Sequence, residues 1–243
     1  MCAAATSRGL TSENGTVAHC EFPKRTKGSD PLNALNDQQM TESSGTPGVG
    51  PHPQPWPDDD KLDRELLEHG DRRNVVDRYR YWKVSAIVAD LDARRHLLQI
   101  AIQNWEHDFN IGSIVRTANA FNVAGVHIIG RRRWNRRGAM VTDRYLKISH
   151  HPSVDAFADR LAADKYVIIG VDNLPGARPL EPYELPERTC LAFGSEGPGL
   201  TDELVAICKD LVAITQYGST RSLNAGAAAA IAMYHWARRW ADE

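Results

Sequence analysis

The sequence predicts an α/β fold in which a mostly parallel sheet carries helices on both faces. Short apolar runs alternate with segments of helical periodicity from residue 96 onward, as they do in parallel sheets with helical crossovers. Two glycine-rich stretches, 194–200 and 219–230, each follow an apolar run and open into a helical pattern. Because such sheets bind ligands at the carboxyl ends of their strands, these stretches predict a binding site there.

The elements are predicted from these runs in chain order. The first strand, 96–103, leads through a polar loop into a helix that begins after Asn110, where apolar residues recur at helical intervals. Further strands are predicted at 125–129, 166–171, 189–193 and 211–215, and further helices at 154–163, 201–208 and 223–240.

Three regions are predicted along the chain. Residues 1–57 are acidic, rich in Ser, Thr, Gly and Pro, and lack apolar periodicity, which indicates a disordered tail. Met40, within this tail, is a candidate alternative start. Residues 58–94 mix charges with apolar residues at helical spacing and are expected to form a helical N-terminal extension. Residues 95–243 form the main domain.

The basic and aromatic run at 72–83, within the extension, has two interpretations. It is either a solvated helix anchored in the core by its aromatic residues or a contact to an RNA backbone.

Composition excludes several classes of protein. The net charge of -2 hides an acidic start, since residues 1–71 hold 6 Lys and Arg against 12 Asp and Glu while the rest hold 23 against 19. The four cysteines have no C-x-x-C spacing, so reduced thiols are expected. With no apolar run of membrane-spanning length and no signal sequence, the expected location is cytoplasmic, with no membrane contact. The pair His150 and His151 has no further ligand at metal spacing, so no metal site is expected.

Candidate chemistry begins with Asn110 and Arg116, at the start of the predicted helix. The first turn of a helix offers N–H groups and positive potential, and an arginine adds a planar charged fork. Together they suit a phosphate or a developing oxyanion. An asparagine N-cap beside a surface arginine explains the pair equally well.

The two glycine-rich stretches supply the other candidates. Glycine lets a ligand approach the backbone closely in 194–200, although the order of glycines is not the G-x-G-x-x-G of a dinucleotide fold. Glu196 is either a functional carboxylate or a solvated loop charge. Ser222 and Asn224 begin an Ala-rich helix suited to close packing, and helix capping alone would explain both.

The segments NIGSIVRTA, GSEGPGL and STRSLNAGAAAA, in that order, resemble the three signature motifs of the SpoU (TrmH-like) class of SPOUT RNA methyltransferases. The resemblance covers roughly residues 95–240. It implies a deep C-terminal trefoil knot whose loops hold S-adenosylmethionine, a homodimer, and methylation of a ribose 2′-OH in tRNA or rRNA without a metal.

The resemblance also implies roles for particular residues. Arg116 corresponds to the catalytic arginine of the family, either as a base or as an electrostatic stabiliser of the forming alkoxide; since a guanidinium rarely gives up its proton, the second role is physically easier. The residues that complete the catalytic site are Asn110, Glu196, Ser222 and Asn224. The positions that match cofactor-binding residues are Gly194, Ile214 and Leu223.

RNA contact is expected at the run 130–138, which places five arginines within seven residues around one tryptophan. Such a run combines phosphate attraction with a stacking surface, although a solvated charge run is the simpler alternative. The residues concerned are Arg131, Arg132, Arg133, Trp134, Arg136 and Arg137.

Two other functions are compatible with parts of the sequence. A catalytically silent RNA-binding or ribosome-assembly protein could share the fold, but the five catalytic matches argue against it. The second alternative is a nucleotide-binding α/β enzyme unrelated to RNA. The sequence has neither the phosphate-loop lysine nor the dinucleotide fingerprint that such an enzyme would carry, and this function would leave the arginine cluster unexplained.

Overall fold

A computed structural model describes residues 48–105, 110–195 and 197–241. These residues belong to one compact unit, Thr46–Glu243. The candidate start at Met40, most of the predicted disordered tail and Glu196 lie outside the described residues.

Seven strands of the described chain pair in parallel within a single sheet. The strands are β1 (His96–Asn104), β2 (Val123–Gly130), β3 (Ile148–His151), β4 (Val167–Val171), β5 (Arg178–Pro179), β6 (Thr189–Phe193) and β7 (Asp210–Ala213). Their spatial order is β3-β2-β1-β6-β4-β7-β5. The late strand β6 therefore lies between β1 and β4, at the centre of the sheet.

Helices cover both faces of this sheet. The α-helices are α1 (Arg64–His69), α2 (Val84–Asp92), α3 (Ile111–Ala120), α4 (Val154–Ala163), α5 (Asp202–Ile207) and α6 (Ala225–Trp240). Because successive side chains of a strand point to opposite faces, each central strand contributes to two cores. In β6, Leu191 and Phe193 pack in the core that includes residues of α3 and α6, whereas Cys190 and Ala192 pack in the core that includes residues of α4 and α5.

The predicted fold class and its elements are confirmed, with shifts of one or two residues at most ends. The helix predicted at 154–163 and the strand predicted at 189–193 have the predicted bounds. Two strands were not predicted. The strand β3 has four residues, three of them polar, and β5 has two residues, so neither is long enough to show alternation between two faces.

The described part of the N-terminal region is held by backbone hydrogen bonds. Val49 and Asp71 exchange two hydrogen bonds of 2.9 Å, and the amide of His52 donates to Leu67 O over 2.8 Å. The hydroxyl of Tyr81 donates to Gly50 O over 2.6 Å. Residues 48–57, assigned from the sequence to the tail, are thus connected to residues 58–94 in this structure.

Asp71 is the buried ion of this extension, with 0% of its surface exposed. Arg73 binds both carboxylate oxygens, over 2.8 Å from Nε and 2.6 Å from a terminal nitrogen. The backbone amides of Arg73 and Tyr81 donate to the same carboxylate. Burial alone would raise the pKa of Asp71, but these hydrogen bonds outweigh it, so the pKa lies below its ordinary value.

The arginines of the run 72–83 are largely engaged within the extension. Arg78 lies 3.4 Å from Asp90 and 4.6 Å from the ring centre of Tyr79, and Arg80 donates to Arg73 O over 2.8 Å. Tyr79 is buried and packs with Ile87 and other apolar side chains. These contacts agree with the interpretation in which aromatic residues anchor the run in a core.

None of the helices in the described ranges combines the length and the apolar character that a membrane span requires.

Candidate active site

A cavity of about 440 Å³ lies where β4, β6 and β7 end and α6 begins. Its volume falls in the range of small-molecule sites. Five of the residues singled out from the sequence line it together: Gly194, Ile214, Ser222, Leu223 and Asn224. Residues of the two glycine-rich stretches therefore share one cavity, as the sequence predicts for the carboxyl edge of the sheet.

Gly194 is required by the path of the chain behind it. A Cβ at this position would lie 1.9 Å from the carbonyl carbon of Gly199 and 2.2 Å from Leu200 N. The loop folds back through a hydrogen bond of 3.0 Å from Gly199 N to Ser195 O. With φ values of +96° and +77°, Gly197 and Gly199 adopt the left-handed backbone region that favours glycine. The glycines thus shape the wall of the cavity.

A side chain after β4 also holds this loop. The carboxylate of Asp172 accepts hydrogen bonds from Leu200 N over 2.9 Å and from Asn173 N over 2.8 Å. The side-chain amide of Asn173 donates to the carbonyl oxygen of Arg221. The adjacent residues Asp172 and Asn173 therefore bind the first and second glycine-rich stretches, respectively.

The end of β1 contributes a second clamp on the same loop. Gln103 is fully buried, and its side-chain amide donates to Thr201 Oγ1 over 2.8 Å while its carbonyl oxygen accepts from Thr201 N over 2.9 Å. Thr201 in turn caps α5. At the other end of the stretch, Ser195 Oγ donates to the backbone oxygen of Gln103 over 3.3 Å. Hydrogen bonds thus hold the stretch 194–200 at both ends, which reduces the entropy that a ligand must remove.

Asn110 and Asn224 meet between the two helices that they precede. Asn224 Nδ2 donates to Asn110 Oδ1 over 2.8 Å, and Asn224 Oδ1 accepts from Gly226 N and Ala227 N over 3.0 and 3.2 Å. Asn224 is therefore the N-cap of α6, as the capping interpretation expects. Asn110 makes no side-chain capping bond to α3, so capping does not explain its side chain.

The helices α3 and α6 approach closely at this point because one residue has no side chain. A Cβ on Gly226 would lie 2.5 Å from Ser113 Oγ. Ser113 Oγ donates to Asn110 O over 2.7 Å, which keeps the hydroxyl on its own helix. The first turn of α3 therefore lies directly against the first turn of α6, beside the cavity.

Arg116 is exposed on α3, six residues beyond Asn110. Its guanidinium forms no ion pair and no hydrogen bond with residues in the described ranges. It is not among the residues that line the cavity. Glu196, the remaining catalytic candidate, lies outside the described residues.

The arginine-rich segment is anchored to the same helix. A Cβ on Gly112 would lie 2.8 Å from Gly138 Cα, and a Cβ on Gly138 would lie 3.0 Å from Ser113 N. The backbone after the arginines thus packs directly on the first turn of α3. At the other end, the buried Asn104 donates to Arg131 O over 2.7 Å and to Arg133 O over 3.0 Å.

Within this segment the aromatic and the charged side chains differ in exposure. Trp134 is half-buried against the core. The guanidinium carbon of Arg136 lies 5.5 Å from the centre of the Trp134 ring, and a terminal nitrogen of Arg136 lies 3.3 Å from a carboxylate oxygen of Asp143. The arginine side chains of the segment are exposed; they belong to Arg131, Arg132, Arg133, Arg136 and Arg137. The structure therefore presents a cationic surface with one anchored ring.

The histidine pair, His150 and His151, is divided between two environments. His151 is buried and shares a hydrogen bond of 2.9 Å with His127, whose other ring nitrogen lies 2.8 Å from Gln99 Oε1. His150 is exposed and bonds Gly130 O. In the described part of the chain, no cluster of three or more His, Cys, Asp or Glu residues is arranged to hold a metal ion.

Sequence reasoning missed Gln103, Asn104, Asp172 and Asn173. All four are polar residues at the carboxyl ends of β1 and β4, a position that is itself a signal for ligand sites in parallel sheets. The arrangement brings together a cavity lined by backbone and apolar groups, a pair of asparagines, and a surface of arginines. It can hold a small polar molecule next to an anionic polymer.

Comparison with known proteins identifies the family of this chain. A "tRNA (guanosine(18)-2'-O)-methyltransferase" of Borreliella burgdorferi is 26% identical over 63% of this chain and 71% of its own length. The SpoU methyltransferase AviRb of Streptomyces viridochromogenes is 26% identical with a TM-score of 0.54, over 62% of this chain and 63% of AviRb. A structure of AviRb with AdoMet matches with a TM-score of 0.55 at 24% identity. Residues 97–234, more than half of the chain, match the model of the SpoU rRNA Methylase family, and the chain belongs to that family.

Proposed function

We propose that the protein transfers a methyl group from S-adenosylmethionine to a ribose 2′-OH of tRNA or rRNA. The observation that carries the proposal is the junction of Asn110 with Asn224, which joins the first and third family motifs beside a cavity lined by the second. The name of the Borreliella burgdorferi relative, a tRNA 2′-O-methyltransferase, supports the same reaction.

The cavity fits the cofactor. Its volume of about 440 Å³ suits a ligand of that size, and the missing side chain of Gly194 leaves backbone groups accessible at its wall. Backbone carbonyls and amides of Gly194 and Ile214, together with Leu223, are the groups that would hold it. AviRb was solved in complex with AdoMet. When bound, the cofactor supplies an electrophilic methyl group on a sulfonium centre.

The residues of this chain then have two tasks, to orient the ribose hydroxyl and to stabilise its loss of a proton. Arg116 projects from the helix whose first turn packs beside the cavity, and its exposed guanidinium suits the forming alkoxide and a neighbouring phosphate. Asn110, Ser222 and Asn224 orient the reacting nucleotide, and Glu196 completes the set as a carboxylate of the same loop as Gly194.

RNA is bound by the arginine-rich segment. Five exposed arginines provide phosphate contacts, and the anchored ring of Trp134 provides a stacking surface. The contact between Gly112 and Gly138 holds this segment against α3, so the RNA backbone would lie next to Arg116.

The active form is a homodimer with a C-terminal trefoil knot. The dimer is supported by apolar side chains on the outer side of α6, where Ile231 is 43% and Tyr234 59% exposed. The knot is supported by the family fold and by the central place of β6. A cytoplasmic location is supported by Cys190 and Cys208, which are free thiols.

The proposal is tested with purified protein, labelled S-adenosylmethionine and total tRNA and rRNA. Label should appear in RNA as an alkali-resistant 2′-O-methyl nucleotide. Arg116→Ala should abolish transfer while cofactor affinity, measured by calorimetry, stays within about twofold, and Arg144→Ala on the exposed surface serves as the control. RNA binding without any transfer would favour a catalytically silent RNA-binding protein, and loss of cofactor affinity in Arg116→Ala would contradict the division of roles.

A further inference from the structure

Asp172 is the one ionisable side chain among the described residues that line the cavity. The other lining residues are apolar, small, or neutral and polar. Its carboxylate follows β4 and lies within hydrogen-bond distance of two backbone amides, those of Leu200 and Asn173. A single negative charge is therefore placed in the wall of a site that is otherwise neutral over its described residues.

The position of this carboxylate is fixed on several sides. Besides the two backbone amides, it lies beside Gly199, where a Cβ would be 2.5 Å from Asp172 Oδ2. The amide of Asp172 itself donates to Val212 O in β7 over 3.0 Å. Since two amide hydrogens occupy only part of its lone-pair capacity, the carboxylate can interact with a further donor or cation.

We propose that Asp172 makes the cavity selective for the cationic methyl donor over its neutral product, which deepens the proposed function and rests on it. S-Adenosylmethionine and S-adenosylhomocysteine share their adenosine, amino and carboxylate groups and differ by one methyl group and by the positive charge of the sulfonium. A fixed carboxylate in the wall lowers the free energy of the charged ligand but not of the uncharged sulfur. Transfer of the methyl group then removes the attraction, so that spent cofactor leaves more readily.

The test measures the ratio of the two dissociation constants by calorimetry on the full chain. Asp172→Asn removes the charge at nearly constant volume, and we expect it to reduce the preference for S-adenosylmethionine over S-adenosylhomocysteine by about three- to tenfold. Sinefungin, an analogue with an amine in place of the sulfonium, should behave like S-adenosylmethionine. Asp202→Asn, which removes an exposed carboxylate outside the cavity, should leave the ratio unchanged.

The outcomes separate the charge of Asp172 from its contacts with the loop. An equal loss of affinity for all three ligands would mean that Asp172 only positions the glycine-rich stretch, and it would overturn the proposal, as would an unchanged ratio. A second measurement needs no variant: the ratio for the unaltered protein should fall between low and high salt, because screening weakens the attraction. A salt-independent ratio contradicts the proposal. If the unaltered protein binds neither ligand, it is the proposed function that fails.

Discussion

Asn224 Nδ2 donates a hydrogen bond of 2.8 Å to Asn110 Oδ1 across the interface of α3 and α6. The two residues are far apart in the chain, and each stands immediately before its helix. Asn224 also caps α6 through its carbonyl oxygen. The side-chain amide of Asn224 therefore has two separable roles. Its oxygen caps α6, which stabilises the helix, and its nitrogen bonds Asn110, which joins two motifs at the site.

Two substitutions separate these tasks. Asn224→Asp keeps an acceptor for Gly226 N and adds a negative charge at a helix N-terminus, so the free energy of unfolding should be unchanged or slightly higher. It cannot donate to Asn110 while ionised, and methyl transfer should fall by about tenfold or more, corresponding to the loss of one hydrogen bond. Asn224→Ala should lose the same activity and, in addition, about 1 kcal/mol of stability. Full activity in the aspartate variant would show that the bond to Asn110 is dispensable.

Gly194→Ala should abolish cofactor binding. The new Cβ would lie 1.9 Å from a backbone carbon of Gly199, and backbone cannot move aside as a flexible side chain can, so the loop must open and the cavity wall must change. Calorimetry with S-adenosylmethionine measures the loss. Gly218→Ala is the matched control, because a Cβ there meets nothing within 4 Å. The affinity of this variant for S-adenosylmethionine should equal that of the unaltered protein. Binding retained in Gly194→Ala would mean that the loop opens in solution.

Replacing Arg131, Arg132 and Arg133 together by alanine should weaken RNA binding and flatten its dependence on salt. The slope of log K against log salt should decrease by about 0.7 to 0.9 for each phosphate contact removed, thus by up to about 2 to 3. Fluorescence anisotropy over a salt series measures it. The exposed Arg64 and Lys209, replaced together, give the control for a simple change in net charge. An identical slope in the triple variant would mean that these arginines do not contact phosphate.

Stability should depend on pH through His127. Burial, and next the neighbouring His151, lower the pKa of His127 from 6.5 to about 4, so the folded state holds the ring neutral. In the unfolded chain this ring takes up a proton below about pH 6.5, so the contribution of His127 to the free energy of unfolding is complete above that pH. The free energy of unfolding then decreases as the pH falls toward 4, by about 3 kcal/mol in all. Arg160 and Asp164 also act on this ring.

Urea titrations between pH 7 and pH 4.5 measure this dependence. In His127→Gln the curve should be flatter between pH 6.5 and 5, with a remaining slope from His151, whose pKa burial also lowers. Carboxylates with lowered pKa, such as Asp71, act at lower pH. His69→Gln on the exposed end of α1 should follow the unaltered protein. An equally steep curve in His127→Gln would assign the acid sensitivity to another group.

Most of the fold was accessible from the sequence because its strands are apolar runs between periodic helices. Leu98, Ile100 and Ile102 of β1 face one core while Ala101 faces the other, and a strand buried on both faces appears as a continuous apolar run. The segment Ile148–His151 carries no such signal, because Ser149 and His150 are exposed and His151 is buried only through its tertiary partners His127 and Phe157.

The candidate site was accessible only in part. Gly194, Ile214, Ser222, Leu223 and Asn224 were found through motifs, and the structure brings them to one cavity. The bond between Asn110 and Asn224 depends on the packing of α3 against α6, which no local periodicity reports. The carboxylate of Asp172 likewise accepts a hydrogen bond from the amide of Leu200, 28 residues later in the chain. Its position therefore could not be predicted from its neighbours in the sequence.

Under the proposed function, the backbone contact between Gly112 and Gly138 would connect the RNA-binding segment mechanically to the helix that carries Arg116. Since no side chain separates the two segments at this contact, a shift of the arginine-rich segment on binding RNA would be passed directly to the first turn of α3. A poorly fitting RNA would then displace Arg116 as well as bind weakly, and discrimination would show in turnover more than in affinity. Exchanging this segment between relatives would therefore transfer RNA preference only if both glycines were retained.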